Sequence, residues 1–255
     1  MTIGCLKLTS VDLQGSRLRT LDLCLAPNLE TVILAECCNL VELHMPDRCL
    51  NLRSLLLSNS KLNTLNIGLT PNLESLDLNN CCYLEDFHMA CECLKLTKLD
   101  INHSKLRTLD IGMTPNLENL DLSSCYCFEE LHMADKCEKL AYLTISHSKL
   151  RTLNLGLTPN LKTLHLKECS NLVEPHTPIG CLKKLAHLDI SGCLGFNSFL
   201  FNLKKTILLV VMMNHNHSRI ILLVVWMDRL RVTYHCKVHR KLPTSSQQYL
   251  AKVSV

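Results

Sequence analysis

Residues 73–84 read Leu73-Glu74-Ser75-Leu76-Asp77-Leu78-Asn79-Asn80-Cys81-Cys82-Tyr83-Leu84: leucines at fixed offsets, a central apolar-polar-apolar triplet, and a small residue three positions beyond it. A triplet of alternating sense is a short strand that sends Leu76 and Leu78 into a core and Asp77 to the opposite face. Equivalent triplets occur at 11–13, 32–34, 55–57, 76–78, 99–101, 120–122, 143–145, 164–166 and 188–190, their starts stepping alternately by 21 and 23 residues until a last step of 24. The unit is therefore a doublet of 44 residues. Ser16-Arg17-Leu18, Ser60-Lys61-Leu62, Ser104-Lys105-Leu106 and Ser148-Lys149-Leu150 keep that spacing, as do Pro27-Asn28-Leu29, Pro71-Asn72-Leu73, Pro115-Asn116-Leu117 and Pro159-Asn160-Leu161. One coil of this size cannot bury its own leucines, whereas a stack of coils shares one core.

The pattern L-x-x-L-x-L-x-x-N/C-x-L is the leucine-rich-repeat signature. The expected fold is α/β: a leucine-rich-repeat solenoid, a curved slab with a parallel sheet of about nine short strands on its concave face and few or irregular helices on the convex side. Residues 1–195 are expected to form the solenoid, starting mid-array with a coil already under way. Residues 196–255 are expected to be a basic, partly disordered tail. Within it the apolar runs 206–213 and 220–227 read as a hairpin capping the last coil, with helices as the close alternative. Because neither end shows a convincing polar cap, the expectation is a fragment or a truncated gene product.

Composition narrows the class. Hydrophobic residues make up 47% and aromatics only 4%, which suits an aliphatic repeat core and disfavours a nucleic-acid binder that stacks bases on aromatic rings. The net charge of +4 joins two unlike parts: residues 1–195 hold 18 Lys/Arg against 22 Asp/Glu, and 196–255 hold 9 Lys/Arg against Asp228 alone. The basic stretch 237–241 reads as a solvated cluster, so no specific nucleic acid is expected. No secretory leader and no apolar run of 18 residues is visible, and neither end carries a lipidation motif. The expected location is the cytoplasm, with the nucleus also open, and no membrane span is expected.

The chain has 16 Cys and 12 His, numbers that invite a disulfide or metal reading. Spacing argues against both. Cys37, Cys81, Cys125 and Cys169 form one column, and Cys5, Cys49, Cys93, Cys137 and Cys181 another, each with a 44-residue step that places equivalent residues two coils apart. Two coils span roughly 10 Å, beyond the ~7 Å limit for Cα atoms joined by a disulfide and too far for a shared zinc ion. Small buried thiols at a tight bend account for the first column, with Ser16, Ser60, Ser104 and Ser148 at the same place on alternate coils. His44, His88, His132 and His176 form a similar column and read as outer-face residues. No nucleophile elbow, phosphate loop or H-E-x-x-H pair is present. The expectation is no enzyme, no metal and no cofactor; Asp100, His103 and Asp121 are the one cluster for a catalytic assay.

Binding, if present, belongs on the face opposite the leucines. The middle column runs Asp12, Ile33, Leu56, Asp77, Asp100, Asp121, Thr144, His165, Asp189. With the positions before and after each strand it gives a candidate partner-binding set of Asp77, Lys98, Asp100, Asn102, His103, Asp121, Tyr142, His147, His165 and Lys167. Such a face suits an extended protein ligand. The run Asp77, Asp100, Asp121 is the sharpest feature, since like charges about 5 Å apart destabilise a sheet unless something compensates them. The competing reading is that these residues are polar because the face is wet.

The strings Leu-Asp-Leu-Asn-Asn-Cys (76–81), Leu-Asp-Leu-Ser-Ser-Cys (120–125) and Leu-Asp-Ile-Ser-Gly-Cys (188–193) resemble the repeats of plant intracellular immune receptors of the TIR-type nucleotide-binding leucine-rich-repeat class. The resemblance covers residues 5–195. Neither the TIR nor the nucleotide-binding domain is present, so signalling and nucleotide chemistry do not carry over. What the resemblance implies is the sensing half, in plant defense: recognition of a pathogen effector or host protein, with contacts to the receptor's switch domains where these are expressed together. Family repeats often read L-x-x-L-P after the turn, where this chain has Leu43-His44-Met45 and its echoes. The alternative is a free-standing adaptor such as a ubiquitin-ligase substrate receptor.

Overall fold

The structure, a computed structural model, describes residues 5–133, 137–173, 182–193, 208–215 and 218–225. His176, Cys181, the 195/196 boundary and the basic stretch 237–241 lie outside the described residues. The strands in chain order are β1 (Ser10–Asp12), β2 (Thr20–Asp22), β3 (Thr31–Ile33), β4 (Glu42–His44), β5 (Ser54–Leu56), β6 (Thr64–Asn66), β7 (Ser75–Asp77), β8 (Asp86–His88) and β9 (Lys98–Asp100). They continue with β10 (Thr108–Asp110), β11 (Asn119–Asp121), β12 (Glu130–His132), β13 (Tyr142–Thr144), β14 (Thr163–His165), β15 (His187–Asp189), β16 (Leu208–His215) and β17 (Ser218–Val225). Among the described residues the sole helical element is a single 3₁₀ turn, Leu155–Leu157.

Nine parallel strands stand side by side in the order β1-β3-β5-β7-β9-β11-β13-β14-β15, after which β16 joins parallel to β15 and β17 pairs antiparallel with β16. The nine triplets read from the sequence are these nine strands, displaced by one residue. Each strand is centred on the first apolar residue of its triplet, Leu76 in Ser75–Asp77 for example. The ladder runs on past that end: the second leucine donates to the next coil, as Leu57 N–H does to the Asp77 carbonyl and Leu78 N–H to Asp100, both within 2.9 Å. The chain is a leucine-rich-repeat solenoid.

Its core is a set of leucine rows. Leu55, Leu57, Leu76, Leu78, Leu99, Ile101, Leu120, Leu122, Leu143 and Ile145 are all at most 2% exposed, and Phe128 is fully buried among them. Burying a leucine-sized side chain contributes about 1.5–3 kcal/mol, so a row repeated coil after coil sustains a fold with little helix.

The convex side, where few or irregular helices were expected, carries strand pairs: β2 with β4, β6 with β8, and β10 with β12. The cause is legible in Leu21-Asp22-Leu23, Leu43-His44-Met45, Leu65-Asn66-Ile67 and Leu109-Asp110-Ile111, which repeat the apolar-polar-apolar alternation of the first strand too briefly for a helix nucleus. A tight turn follows at Gly68, with φ +61°, where a Cβ would stand 2.8 Å from the Pro46 and Asp47 carbonyl oxygens, so only glycine fits.

The repeated asparagine of Pro-Asn-Leu ties each doublet together. Asn28, Asn72, Asn116 and Asn160 donate from Nδ2 to the carbonyls of Leu6, Leu50, Leu94 and Glu138 on the preceding coil, at 2.8–2.9 Å. Asparagine is the short side chain that supplies such a donor to backbone one coil away.

Candidate functional site: the sheet face

Backbone register sets the site. Ser75 pairs with Lys98, Lys98 with Asn119, Asn119 with Tyr142 and Tyr142 with Thr163, which gives one row at the strand starts. Asp77, Asp100, Asp121, Thr144, His165 and Asp189 give a second row at the strand ends. Asn102 and Lys167 stand two residues beyond the strands, and His103 and His147 three. All ten candidate residues therefore lie on one face, across the five adjacent coils that contain β7, β9, β11, β13 and β14.

The turn after each strand has a fixed conformation. Gly15, Glu36, Asn59, Asn80, His103, Ser124, His147, Glu168 and Gly192, one per coil, have φ between +52° and +77°. These residues occupy the third position of a four-residue turn, closed for instance by Ser60 N–H to the Leu57 carbonyl at 3.2 Å. A positive φ at that position defines a type II turn, which favours glycine or asparagine. Only two of the nine are glycine. The other seven carry side chains outward at a conformational cost of about 1 kcal/mol each.

The aspartates of the strand-end row serve the same turn. Oδ1 of Asp12, Asp77, Asp121 and Asp189 accepts the N–H two residues on, at 2.8–3.1 Å, and Asp100 accepts from Asn102 N–H at 3.4 Å and Asn102 Nδ2 at 2.9 Å. This is an Asx turn, and it explains why aspartate recurs there independently of any ligand. Charge is still stacked. The Asp100 carboxyl is held above its ordinary pKa by burial first, and by the carboxylates of Asp121 and Asp77, while the Asn102 N–H and Lys98 pull the other way.

The turn row makes contacts of its own. Asn59 Nδ2 donates to Glu36 Oε1 at 2.8 Å, Asn80 Nδ2 donates to Asn59 Oδ1, and His103 Nδ1 lies 3.0 Å from Asn102 Oδ1. Among the described residues no hydrogen bond joins His103 to Asp100 or Asp121, so the cluster proposed for assay is not a His–carboxylate pair. Nor does any group of three His, Cys, Asp or Glu among them converge as a metal site.

Two residues the sequence reading passed over border the face. Tyr126 is 63% exposed with its ring 6.4 Å from that of His147, and Tyr83 is 49% exposed with Lys105 Nζ 5.1 Å from its ring centre. Tyr142 is 44% exposed, so all three tyrosines of the repeat body face solvent. The available signal was their position: Tyr83 and Tyr126 fall just after the turn cysteine, outside the alternating triplet.

The cysteine column is buried and hydrogen-bonded. The thiols of Cys37, Cys81, Cys125 and Cys169 donate to the carbonyls of Leu13, Leu57, Ile101 and Ile145 on the preceding coil, at 2.8–3.3 Å. Each also lies 3.2–3.3 Å from the hydroxyl of Ser16, Ser60, Ser104 or Ser148. Burial pushes the thiols of Cys81 and Cys125 up, and those of Cys49 and Cys93 up to about 11, which keeps them protonated and poorly nucleophilic. The His column is on the outside: His44 and His132 lie 3.9 and 3.4 Å from Glu42 and Glu130, all of them well exposed.

The chain resembles other repeat proteins of known structure. A leucine-rich-repeat protein of Leptospira interrogans aligns at 19% identity over 71% of this chain and 54% of its own, with a TM-score of 0.43. A leucine-rich-repeat protein of Bacteroides ovatus aligns at 15% identity over 71% and 63%, with a TM-score of 0.38. The plant peptide hormone receptor RGFR1, in complex with RGF2, aligns at 16% identity over 74% and 44%, with a TM-score of 0.27. The chain thus spans between about two fifths and two thirds of these proteins' lengths, and the likeness is one of fold. No family model and no curated protein sequence matches the chain. Among the described residues no helix is long and apolar enough to cross a membrane.

Proposed function

We propose that the chain is a protein-recognition module whose sheet face, from the coil of β7 to that of β14, binds a polar or basic protein surface. One observation carries this. Along the stack the buried positions repeat almost without change, while the outward positions in register with them change from coil to coil: Ser75, Lys98, Asn119, Tyr142, Thr163 in one row and Asp77, Asp100, Asp121, Thr144, His165 in the other. A fold that needed only wettability would tolerate any polar residue there; an addressed surface needs particular ones. Tyrosine is among the residue types enriched at the energetic centres of protein interfaces, and Tyr83, Tyr126 and Tyr142 are exposed along this face.

The finer reading follows the repeat resemblance: the sensing part of a plant intracellular immune receptor, acting in the cytoplasm or nucleus in defense against pathogens, with an effector or a host protein as ligand. Residues 1–195 would form the recognising body and 196–255 a cap and tail. The test is affinity capture from plant cell extract with the wild-type chain, with Asp100→Lys/Asp121→Lys, and with Glu42→Lys/Asp110→Lys on the convex side. A specific protein retained by wild type and the convex variant but lost by the face variant supports the proposal. Equal retention by all three rules it out.

A further inference from the structure

The alternation of cysteine and serine along the turn column breaks once. Through the first eight coils the order is Ser16, Cys37, Ser60, Cys81, Ser104, Cys125, Ser148, Cys169, so each cysteine has serine on both flanking coils where both exist. The ninth coil should bring serine again. Its step is 24 residues instead of 23, and it brings Cys193.

Register then places two thiols on neighbouring coils. His165 pairs with Asp189, Leu166 N–H donates to the Asp189 carbonyl and Glu168 N–H to the Ser191 carbonyl, each bond 2.7 Å. Both turns close alike, Cys169 N–H on Leu166 and Cys193 N–H on Ile190. Equivalent residues of adjacent parallel coils stand about 4.8 Å apart, inside the roughly 4.4–6.8 Å range of Cα atoms joined by a disulfide, with side chains pointing the same way. The two thiols are placed alike, Cys169 on the Ile145 carbonyl at 2.8 Å and Cys193 on the Leu166 carbonyl at 2.7 Å, each reaching back to the coil before it. Elsewhere in the column the nearest cysteines are two coils apart.

We infer that Cys169 and Cys193 are a redox-modification site that closes into a disulfide between the eighth and ninth coils under hydroperoxide. The chemistry balances in two steps. The Cys169 thiolate attacks one peroxide oxygen, breaking the O–O bond to leave a sulfenic acid and hydroxide, which takes up the proton the thiol lost. The Cys193 thiol then attacks that sulfur and expels the oxygen as water, so two thiols and one hydrogen peroxide give one disulfide and two waters. The order of roles follows the surroundings. The Ser148 hydroxyl, 3.2 Å from the Cys169 sulfur, can turn its proton onto the thiolate formed there, whereas the buried Cys193 keeps its own proton on the Leu166 carbonyl at 2.7 Å. The geometry is short of ideal, since sulfurs on in-register coils must draw together from a Cβ spacing near the coil repeat to the closer spacing a disulfide prefers. The bond is therefore expected to be readily reduced.

The test treats the full chain with a few equivalents of hydrogen peroxide, blocks remaining thiols by alkylation under denaturing conditions, digests with trypsin and maps the linkages. Trypsin leaves Cys169 and Cys181 on one peptide, so fragment-ion sequencing assigns the partner of Cys193. The expected result is one dominant link, Cys169 to Cys193, accompanied by loss of two alkylatable thiols per chain and reversed by dithiothreitol. Cys193→Ser restores the alternation the array uses elsewhere, folds with an unchanged circular dichroism spectrum, and abolishes the link. Oxidation should also raise the melting temperature of the wild type by a few degrees and leave Cys193→Ser unmoved. Recovery of both cysteines in alkylated form, or dominant linkage through exposed Cys24, Cys38 or Cys82, overturns the inference.

Discussion

Replacing Asp100 by asparagine should stabilise this protein, although it removes a charge from the most polar part of its surface. Asp100 lies in register between Asp77 and Asp121, roughly 5 Å from each backbone position. Two like charges at that distance repel by about 0.8 kcal/mol in a water-like dielectric, and two neighbours therefore by under about 2 kcal/mol. Salt at physiological strength roughly halves this, and the attraction of Lys98 offsets a further part. The net expectation for Asp100→Asn is a gain of about 0.5–1 kcal/mol, or a melting temperature higher by roughly 2 °C. The amide oxygen still accepts the Asn102 N–H, so the turn survives. Asp100→Ala loses that acceptor and should fall below Asp100→Asn by about 0.5–1.5 kcal/mol.

The pH dependence has a definite sign. The folded-state pKa of Asp100 is raised, with burial the largest cause, so the ionised form is the one the fold penalises. Its destabilising effect is absent below the ordinary aspartate pKa of 3.8, appears as pH rises through the window between that value and the raised folded value, and is complete at neutral pH. The advantage of Asp100→Asn over wild type should therefore be near zero at the acid end, grow toward pH 7, and shrink in high salt. Urea denaturation followed by circular dichroism between pH 4 and 7, at low and high ionic strength, measures all three. An advantage independent of pH and salt, or a loss of stability at pH 7, would show that the carboxylate row does not repel as its register implies.

Three further outcomes test the account of the fold. Asn116→Ala removes the bond to the Leu94 carbonyl (2.8 Å) and should cost about 0.5–1.5 kcal/mol in urea denaturation, while Asn116→Ser recovers little because the shorter side chain does not reach. Phe128→Ala, at a fully buried position, should cost about 3–5 kcal/mol and broaden the unfolding transition as coils on either side of the cavity uncouple. Ser124→Val puts a β-branched side chain where φ is +59° and should cost about 1–2 kcal/mol or more, whereas Ser124→Gly should be neutral or mildly stabilising.

The nine sheet strands were legible because a period-two triplet recurs at steps of 21 to 24 residues, a register that stacks strand on strand. The convex strand pairs were harder to see, though Leu43-His44-Met45 carries the same alternation: these triplets follow the main strands at steady offsets of 10 or 11 residues, but the offset does not by itself say with which coil each one pairs. The turn conformation was hidden for a different reason. Glu36, Ser124 and Glu168 are not residues that advertise a positive φ, and only the closing bonds on either side impose it. The cysteine spacing was read correctly along the 44-residue column, and that reasoning passed over Cys169 and Cys193 because they belong to one column only when the final step of 24 is followed coil by coil.

The turn geometry also sorts the candidate binding residues by how much of each the fold already explains. Asp77, Asp100 and Asp121 hold Asx turns, and His103 and His147 occupy the left-handed position, where histidine is enriched along with asparagine. A local role accounts for the presence of those five without any partner. Tyr142, His165 and Lys167 are different: among the described residues no side-chain hydrogen bond to the turn and no backbone constraint calls for a tyrosine, a histidine or a lysine at those places, and Tyr142 keeps a large apolar ring in water. Such exposure costs free energy that the fold does not recover. In a surface that recognises a partner, the residues least needed by the scaffold are the ones free to be specified by the ligand. On the proposed function, the centre of the recognition surface is expected on the coils of β13 and β14, around Tyr142, with the aspartates as its structural frame.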